Sequence, residues 1–361
     1  MAKKKDLSEL RKKIDDIDSK LLKLVNERGE IALEVSSHKK ANSLRVYDPA
    51  REKEIEEKLK KKNPGPLSNE YVVSIFREVI SACRALQHNT RVAYLGPEGS
   101  FSNQAAFNKF GSGTELVAVS SFEEVFEEVH KNRVEFGIVP VENSLEGSIG
   151  RILDMLFVWD LKISAEYFEK IGHFLLSKTG SMSDIRVVAS HPQALGQCRN
   201  WISKNLSGVE LVETPSTAWG ARLASEDNSV ASIASEFSAS IYKLKIIQKH
   251  IEDSPQNTTR FLIIGKETGY YTGEDKTSIV FSLKDEPGAL HKSLFLPFAE
   301  AKINLTKIES RPSKEMPWEY LFFVDFKGHF EEKKVVSVLK KVEKNCIFLK
   351  VLGSYQIGTS K

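Results

Sequence analysis

The stretch RVAYLGPEGSFSNQAAFNKF, from Arg91 to Phe110, combines a short apolar run, a glycine-containing turn and a helical pattern. The same succession of strand and helix signals continues as far as Gly265. Strands are predicted in VEFGIVPVE, DIRVVASHP and RFLIIG, and helices in SFEEVFEEVHK, ALGQCRNWISKN and TAWGARLASE. This alternation predicts an α/β domain with mostly parallel strands.

The chain upstream of this domain, from residue 6 to about 88, has only helical signals. Its apolar residues follow a three-then-four spacing that predicts one long amphipathic helix. The stretch from Asn42 to Asp48 interrupts this pattern, and Asp48-Pro49 has the form of an N-cap followed by a first-turn proline. A second helix to about Lys62 and a third over 68–87 complete a predicted all-α domain.

Downstream of the α/β domain, the polar stretch GKETGYYTGEDK from Gly265 to Lys276 is predicted to be a linker. Beyond it the predicted order is strand, helix, strand, strand, helix, strand, over 277–283, 288–301, 303–309, 318–326, 331–343 and 346–352. This βαββαβ order is typical of a small α+β, ferredoxin-like unit. We therefore expect a multi-domain protein with boundaries at 1–90, 91–266 and 277–361.

The composition limits the classes of function. The 361 residues are 41% hydrophobic and 28% charged, with a net charge of +3, which gives no case for nucleic-acid binding as the main role. The cysteines, Cys83, Cys198 and Cys346, form no CxxC pair, so we expect neither a disulfide framework nor a metal site. No signal peptide or membrane span is evident, so we expect a cytoplasmic protein. Nothing points to a cofactor.

One cation interrupts the apolar seam of the first predicted helix. Arg28 falls in the series 7, 14, 21, 28, 35, where apolar residues are expected, and a buried guanidinium needs an anionic partner. Lys39 follows 11 residues later, roughly 16 Å along the axis on nearly the same side. Other polar groups at candidate inward positions are Arg51, Glu52 and Gln87. The pattern favours a site for a small anion over a surface helix with solvated ion pairs.

Arg11 lies 17 residues before Arg28, about 25 Å along the same helix, which is too far for both to hold one small ligand. If Arg11 serves the same site, it must come from a second copy of the helix. That alternative implies a dimer.

The helical segment resembles the all-helical chorismate mutase family. The resemblance rests on LRKKIDDIDSKLLKLVNERGEIALEVSSHKK, YDPAREKEI and the helix ending SACRALQ. It implies that the helices of two chains interlock around a site that binds a compact dicarboxylate conformer and stabilises charge on the ether oxygen. It also implies carboxylate contacts from Arg11 of the second copy, Arg28 and Arg51, catalytic donors Lys39 and Gln87, contacts to the hydroxyl side from Asp48 and Glu52, and an open role for Cys83.

Polar side chains gather in the turns that follow the strands of the α/β segment. The turns are LGPEGSFS, VPVENSLEGS, ASHPQALGQC and ETPSTAW. Strand ends in an open α/β sheet converge on a crevice, where ligands bind. Each serine or threonine taken singly has the simpler interpretation of a helix cap. GPEGS lacks the GxxxxGK(S/T) pattern, so it is not a nucleotide P-loop. No Ser-His-Asp spacing or GxSxG elbow appears, so we do not expect a hydrolase.

The whole segment from Arg91 to Gly265 resembles prephenate dehydratase, through GPEGSFS, VPVENSLEGSI, SHPQALGQC, TPSTA and DSPQNTTRF in that order. The resemblance implies a two-lobed fold like that of periplasmic binding proteins, and loss of carbon dioxide and hydroxide from prephenate. Thr259 is the expected catalytic proton donor, Thr258 is expected to cap the strand, and Arg260 either binds a carboxylate or fixes the loop. The residues implied to bind prephenate are Ser100, Phe101, Ser102, Glu142, Asn143, Ser144, His191, Gln193, Ser216, Thr217, Asn257, Thr259 and Arg260.

The C-terminal unit resembles ACT regulatory domains, through DEPGALHKSL and NLTKIESRP. The resemblance implies a phenylalanine site between two copies, and feedback inhibition through a second conformation. The residues implied are Gly288, Ala289, Leu290, Asn304, Leu305, Glu309 and Ser310.

Together the resemblances imply a bifunctional enzyme of phenylalanine biosynthesis, whose first domain makes the substrate of the second. The expected partners are chorismate, prephenate, L-phenylalanine as inhibitor and further copies of the chain, as a dimer or tetramer, with no nucleic acid and no membrane. Two other hypotheses remain at this point: a dehydratase whose helical segment only dimerises or regulates, and an amino-acid sensor without catalysis. A nucleic-acid role for the lysine-rich N-terminus is a distant third, since its basic residues alternate with acids.

Overall fold

The computed structural model describes residues 6–42, 47–284, 286–313 and 320–358. The chain divides into two compact units. The first is Met1–Thr90 with Phe110–Glu115, and the second is Arg91–Lys109 with Leu116–Lys361.

The first unit contains the three helices that the sequence predicts. They are α1 (Leu7–Ala41), α2 (Pro49–Lys62) and α3 (Asn69–Gln87). The Asp48 side chain accepts a hydrogen bond from the Arg51 N–H at 3.0 Å, so the predicted N-cap of α2 is confirmed. Ser68 caps α3 in the same way through the Tyr71 N–H.

The apolar seam of α1 lies on the surface of the single chain. The side chains of Leu7, Ile14 and Leu21 are 61%, 56% and 56% exposed. At Gly29, α1 lies close to α3, since a Cβ added there would lie 3.3 Å from Leu86 Cδ1. An apolar stripe on a helix ordinarily packs against other apolar surface, and in the single chain this stripe of α1 is exposed.

The second unit begins with a lobe built on a six-stranded sheet. Its strands have the order β2-β1-β3-β11-β5, and β4 pairs with β3. Helices α5 and α6 pack against this sheet. The elements are β1 (Arg91–Leu95), α4 (Phe101–Phe110), β2 (Glu115–Val119), α5 (Phe122–His130), β3 (Phe136–Asn143), β4 (Gly147–Ser148), α6 (Gly150–Val158), β5 (Lys162–Lys170) and β11 (Thr258–Gly265).

A second lobe is inserted between β5 and β11, with its own five-stranded sheet in the order β10-β6-β9-β7-β8. The chain crosses between the lobes twice, and the two crossings are hydrogen-bonded to each other, from Ile171 N–H to the Asn257 carbonyl and from Ile251 N–H to the His173 carbonyl, both at 2.9 Å. Its elements are β6 (Phe174–Ser177), a 3-10 turn (Met182–Asp184), β7 (Val187–Ser190), α7 (Pro192–Gln197), α8 (Arg199–Asn205), β8 (Glu210–Glu213), α9 (Thr217–Glu226), β9 (Val230–Ala234), α10 (Glu236–Tyr242) and β10 (Lys245–Gln248).

The expectation of mostly parallel strands is wrong. Strand β1 is parallel to β3, and β7 is parallel to both β8 and β9. Strand β11 is antiparallel to β3 and β5, and β6 is antiparallel to β9 and β10. The strands next to the two crossings run against their neighbours because the chain passes directly from one sheet to the other, without the helical crossover that keeps strands parallel.

The C-terminal part of the second unit is the predicted ferredoxin-like domain, an antiparallel sheet in the order β13-β14-β12-β15. One face packs on the first lobe, where Val280, Phe323 and Tyr355 share a buried cluster with Val141 and Leu262. The elements are β12 (Asp275–Leu283), a π-helical turn (His291–Phe295), α11 (Leu296–Glu300), β13 (Leu305–Pro312), β14 (Tyr320–Lys327), α12 (Lys333–Glu343) and β15 (Cys346–Gln356).

The predicted linker from Gly265 to Lys276 is packed rather than loose. The Thr268 hydroxyl donates to the Ser354 carbonyl at 2.6 Å, and the Gly269 N–H donates to the same carbonyl at 2.8 Å. Strand β12 already begins at Asp275, which is buried. The glycine and polar residues of this segment make close contacts with the backbone of β15. A flexible linker has the same composition, so composition alone does not distinguish the two.

Candidate active and regulatory sites

Strand β11 presents two different faces. In the register with β3, Thr259 lies opposite Asn143 and Arg260 lies opposite Glu142. Because successive side chains of a strand point to opposite sides, Thr259 and Asn143 share one face and Arg260 and Glu142 share the other. We call these the amide face and the ionic face of β11.

The amide face is organised by Asn143. Its Oδ1 accepts hydrogen bonds from the N–H groups of Leu145 at 3.0 Å and Glu146 at 3.3 Å. Its Nδ2 donates to Thr259 Oγ1 at 3.0 Å and to Asn257 Oδ1 at 2.7 Å. Since Thr259 Oγ1 accepts from Asn143, the hydroxyl proton of Thr259 is left to be donated elsewhere.

Gln197 extends this network, and the sequence analysis did not select it. Its Oε1 accepts a hydrogen bond from Asn257 Nδ2 at 2.9 Å, and its Nε2 donates to Glu146 Oε1 at 3.3 Å. Gln193, the predicted contact, is exposed one helical turn earlier. The two glutamines of ASHPQALGQC stand four residues apart, so the i, i+4 spacing on α7 was the signal that could have found Gln197.

The turn before α4 and the first residues of that helix hold Ser100, Phe101 and Ser102, three residues predicted to bind prephenate. Ser100 Oγ donates to the Leu95 carbonyl at 3.1 Å and accepts from the Asn103 N–H at 3.2 Å, so it caps the helix. Ser102 is buried. Phe101 packs edge-on against the His173 ring, with centroids 5.7 Å apart.

The polar residues that frame the second lobe are mostly helix caps. His191 Nδ1 accepts from the Gln193 N–H at 3.3 Å at the start of α7, and Ser216 accepts from the Trp219 N–H at 3.1 Å at the start of α9. Thr217 is buried.

On the first lobe, Ser144 Oγ donates to the Gln256 carbonyl at 3.0 Å and accepts a hydrogen bond from the Thr258 N–H at 3.0 Å. Thr258 is thus tied at the entry to β11.

The ionic face of β11 is a buried cluster of full charges around Arg260. Its Nε donates to Glu166 Oε2 at 2.8 Å, its Nη1 to Asp325 Oδ2 at 2.6 Å and its Nη2 to the Tyr355 hydroxyl at 2.9 Å. Lys276 Nζ also donates to Glu166, at 2.9 Å. All three guanidinium nitrogens are therefore engaged with protein groups.

The charges in this cluster set the protonation of its acids. Burial raises the pKa of Asp325, but the positive charge of Arg260 and the Ser278 hydroxyl, at 2.5 Å, outweigh it. The net effect is a pKa of Asp325 below its ordinary value. Asp325 is thus charged in the folded protein at neutral pH, as the ion pair with Arg260 requires.

Glu142, predicted to bind prephenate, lies on this ionic face. Its Oε2 is 2.9 Å from Lys307 Nζ and 3.8 Å from Arg260 Nη1. Of the two roles expected for Arg260, the geometry favours fixing the loop, because its nitrogens contact the C-terminal domain. The structure therefore does not bring Glu142 and Arg260 together with Thr259.

The strand β13 connects the C-terminal domain to the first lobe. Lys307 Nζ donates to Ser148 Oγ at 2.6 Å, and Ser148 Oγ donates to Glu309 Oε2 at 2.8 Å. Arg311 holds Asp154 with two hydrogen bonds of 2.8 and 3.2 Å. A Cβ at Gly150 would lie 1.8 Å from Arg311 Nη1, so a larger residue there would displace the Arg311 guanidinium.

The other candidates for the phenylalanine site surround β13 and the turn after β12. Gly288 has φ +79°, a conformation that favours glycine, and its carbonyl accepts from the Lys292 N–H at 3.0 Å. Ala289 and Leu290 follow it in the helical turn, and Leu305 is half-buried. Asn304 and Ser310 are exposed, whereas Glu309 is turned toward Ser148.

In the helical unit, the predicted mutase residues have varied surroundings. Arg28 and Lys39 on α1 and Gln87 at the end of α3 are half-buried, and the close approach of Gly29 to Leu86 places the neighbouring Arg28 and Gln87 at the same level of the helix pair. Arg51 is exposed and pairs with Glu54, while Arg11 is exposed. Asp48 caps α2, and Cys83 is buried.

Arg84 on α3 is a second residue that the sequence analysis missed. It is 5% exposed, pairs with Glu52 and donates to the Phe110 carbonyl and to Thr114 Oγ1. Its guanidinium carbon lies 5.0 Å from the centre of the Tyr47 ring. This ion pair joins α2 to α3, and it gives Glu52 a positively charged partner within the same chain. A charged residue among the apolar positions of α3 was the available signal.

Neither a metal centre nor a membrane-spanning helix is found in the ranges that the structure describes. No cluster of three or more His, Cys, Asp or Glu side chains there has the arrangement of a metal site. No helix in the same ranges has both the length and the apolar character for crossing a membrane.

Comparison with known proteins identifies three families along the chain. Residues 10–88 match chorismate mutase type II, residues 92–269 match prephenate dehydratase, and residues 277–344 match the ACT domain. A bifunctional chorismate mutase/prephenate dehydratase from Aquifex aeolicus is 46% identical, over 97% of this chain and 98% of its own length.

Two solved structures resemble the second unit. A prephenate dehydratase from Arthrobacter aurescens in complex with L-Phe has a TM-score of 0.69 and 30% identity, and the match covers 74% of this chain and 90% of that one. GqqA, described as a novel type of quorum quenching acylase, has a TM-score of 0.67 and 28% identity, covering 74% and 97%. One fold can carry different activities, so family membership rests on the full-length sequence match. The chain belongs to the bifunctional chorismate mutase/prephenate dehydratase family.

Proposed function

We propose that this protein rearranges chorismate to prephenate in its helical unit and converts prephenate to phenylpyruvate between the two lobes, under feedback inhibition by L-phenylalanine. The domains assigned to these tasks are residues 1–90, 91–266 and 277–361. The observation that carries the proposal is the amide face of β11. It joins Thr259, Asn143 and Gln197, from both lobes, in a chain whose relatives have this bifunctional name.

For the dehydration, Thr259 supplies the proton and the surrounding amides hold the substrate. The bond between the ring and its carboxylate breaks, carbon dioxide leaves, the electron pair of that bond enters the ring, and the ring hydroxyl leaves with the proton of Thr259 as water. The proton is then returned to Thr259 from solvent. A threonine hydroxyl is a weak acid, so it acts only where donors are preorganised and water is largely excluded.

The remaining prephenate contacts come from the turns around Thr259. The first lobe contributes Phe101 and Ser102, and the second crossing contributes Asn257. The second lobe contributes His191, Ser216 and Thr217. The caps Ser100 and Ser144 shape the turns, and Gln197 takes the place expected of Gln193. Glu142 and Arg260 act indirectly, by fixing β3 and β11.

For the rearrangement, the helical unit needs only to bind and polarise chorismate. Arg28, Arg51 and Arg11 of a second copy hold the carboxylates, and Lys39 and Gln87 donate to the ether oxygen. Asp48 and Glu52 face the hydroxyl side of chorismate, and Cys83 lies in the wall of the site. This arrangement requires a dimer at least, and the exposed seam of α1 is the surface that a second copy covers. We place the assembly, a dimer or tetramer, in the cytoplasm.

For regulation, L-phenylalanine binds at the C-terminal domain. Its site includes Gly288, Ala289, Leu290, Asn304, Leu305 and Ser310, and Glu309 stands between this site and Ser148 of the first lobe. Inhibition requires a conformation with higher affinity for the amino acid and lower activity.

Feeding chorismate to the full-length protein tests the proposal. We expect prephenate to form first and phenylpyruvate to follow, and L-phenylalanine to slow the second step. An Arg28→Ala variant should lose chorismate turnover while it still converts added prephenate. Binding of prephenate without any turnover in the unmodified protein would contradict the enzyme assignment and favour a sensor.

A further inference from the structure

His173 lies where the chain first crosses between the lobes, and its ring is directed toward the amide face of β11. The residue is 2% exposed. Its N–H donates to Glu252 Oε2 at 2.8 Å and its carbonyl accepts from Ile251 at 2.9 Å, so its backbone is fixed on both sides. Its Nε2 lies 2.8 Å from Gln197 Oε1.

Three side-chain amides, of Asn143, Asn257 and Gln197, lie between Thr259 and His173. Two backbone N–H groups determine which way each amide places its oxygen and its NH2. The N–H groups of Leu145 and Glu146 can only donate, so the Asn143 atom that faces them is its oxygen, and its NH2 faces Asn257. Asn257 must then offer its oxygen to Asn143 and its NH2 to Gln197. The Gln197 atom that faces His173 is therefore its oxygen, which can only accept.

This order leaves one protonation state for the ring. Burial lowers the pKa of His173, more than the hydrogen bond to Gln197 and the nearby Glu252 raise it, so the imidazole is neutral at neutral pH. A neutral imidazole has one N–H, and the contact with Gln197 requires it on Nε2. The Nδ1 atom has no hydrogen-bond partner among the described residues.

We propose that His173, as its Nε2–H tautomer, is a positioning residue for the dehydration, because it fixes the amide of Gln197. With its oxygen held by both His173 and Asn257, Gln197 presents its NH2 group away from them, where one N–H reaches Glu146. The second N–H has no partner among the described residues and is directed to bind prephenate. The inference rests on the proposed dehydration, and it adds a residue on the crossing between the lobes to that site.

Three variants of the full-length protein test this role. His173→Phe keeps a ring against Phe101 but removes the donor, so we expect the kcat for prephenate to fall about tenfold with KM within about twofold. His173→Gln places an N–H close to where Nε2 lies, and we expect it to recover kcat to within about threefold of the unmodified protein. His250→Phe is the matched control, since that ring is 60% exposed and contacts Glu252 rather than Gln197.

Chorismate consumption by the same variants should be unchanged, which separates an effect at this site from general damage. A kcat for His173→Phe within about twofold of the unmodified protein would overturn the proposal. Equal losses in the phenylalanine and glutamine variants would overturn it as well.

The tautomer itself can be measured without any substitution. Ring-15N-labelled histidine in the full-length protein, with His173 assigned through its contact with Phe101, should show the proton on Nε2. A proton on Nδ1, or on both nitrogens at neutral pH, would contradict the proposal. This result does not depend on turnover, so it remains separate from a failure of the proposed dehydratase activity, which would show as unmodified protein that does not consume prephenate.

Discussion

The amide face and the ionic face of β11 differ in charge, in partners and in what they hold together. On the amide face, Thr259 meets neutral groups whose donors and acceptors are fixed in one order, down to the tautomer of His173. On the ionic face, Arg260 is surrounded by carboxylates and a phenol that belong partly to the C-terminal domain. The proposed catalytic residue Thr259 and the residue that attaches the C-terminal domain, Arg260, are thus neighbours on one strand. Neutral groups with fixed orientation suit a site that must stabilise changing charge, whereas buried full charges resist displacement.

The largest effect is expected from breaking the ionic face. Replacing Arg260 with Met leaves Glu166 and Asp325 buried without their main counter-charge, so the free energy of unfolding should fall by about 3–5 kcal/mol. Urea unfolding of the full-length protein measures this. In the surviving folded protein, the KM for prephenate should change less than about threefold, since all three guanidinium nitrogens of Arg260 already contact protein groups.

Arg151→Met is the matched control. Its ion pair with Glu123 has a similar distance, 2.7 Å, but the two side chains are 63% and 44% exposed, so the loss should stay below about 1 kcal/mol. If Arg260→Met instead raised KM by two orders of magnitude with little loss of stability, Arg260 would be a substrate clamp and the division between the faces would be wrong.

The next effect concerns the amide face. Asn143→Ala removes the hydrogen-bond donor to the Thr259 hydroxyl. It also removes the group that fixes the orientation of the Asn257 and Gln197 amides. The kcat for prephenate should therefore fall about 100-fold, equivalent to about 2.7 kcal/mol. Steady-state kinetics with added prephenate measures the change. Asn205→Ala, which removes an exposed amide that donates to the Trp201 carbonyl, should leave kcat unchanged. A kcat for Asn143→Ala close to normal would show that the amide order has no part in catalysis.

The two faces should also respond to acid in different ranges of pH. The folded-state pKa of His173 lies below its unfolded value of about 6.5, and that of Asp325 lies below about 3.9. Unfolding therefore takes up protons as pH falls, so the stability from His173 is complete above about 6.5 and declines below it, while that from Asp325 declines only below about 3.9. Urea midpoints measured across this range should no longer fall below about pH 6.5 because of this residue in His173→Gln, and should lose the fall below about pH 3.9 in Asp325→Asn. An unchanged upper dependence in His173→Gln would exclude the neutral buried ring.

The smallest expected effect links the ionic face to regulation. Lys307 joins Glu142 and Ser148 of the first lobe to β13, so Lys307→Met should weaken inhibition by L-phenylalanine a few-fold, a coupling change of roughly 1 kcal/mol. Inhibition curves at fixed prephenate measure it. Lys341→Met, which removes an exposed pair with Glu300 in the same domain, is the control and should not shift the curve. Identical curves for both variants would place the coupling elsewhere.

The sequence predicted most of the elements that build the molecule. The cap at Asp48 and the βαββαβ order depend on local chemistry and periodicity, and the structure confirms them. The direction of β11 could not be predicted, because it depends on the chain returning from an inserted lobe. Short strands such as β6 and β10 were missed because their apolar patterns span only a few residues.

The candidate site was predictable by region and less so by residue. The turns containing Asn143 and Thr259 were identified, since polar residues after strands converge in this class of fold. The separation of Glu142 and Arg260 from their neighbours follows from strand alternation, which the sequence shows only once the pairing partner is known. His173 and Gln197 come together through the two crossings, a contact that no local pattern encodes.

The most direct test of this account is the product formed from chorismate by full-length Thr259→Ala. Chorismate should be consumed at the normal rate, prephenate should accumulate and bind with nearly normal affinity, and phenylpyruvate formation should be abolished. Phenylpyruvate at a near-normal rate from this variant would contradict the role of Thr259 as the proton donor.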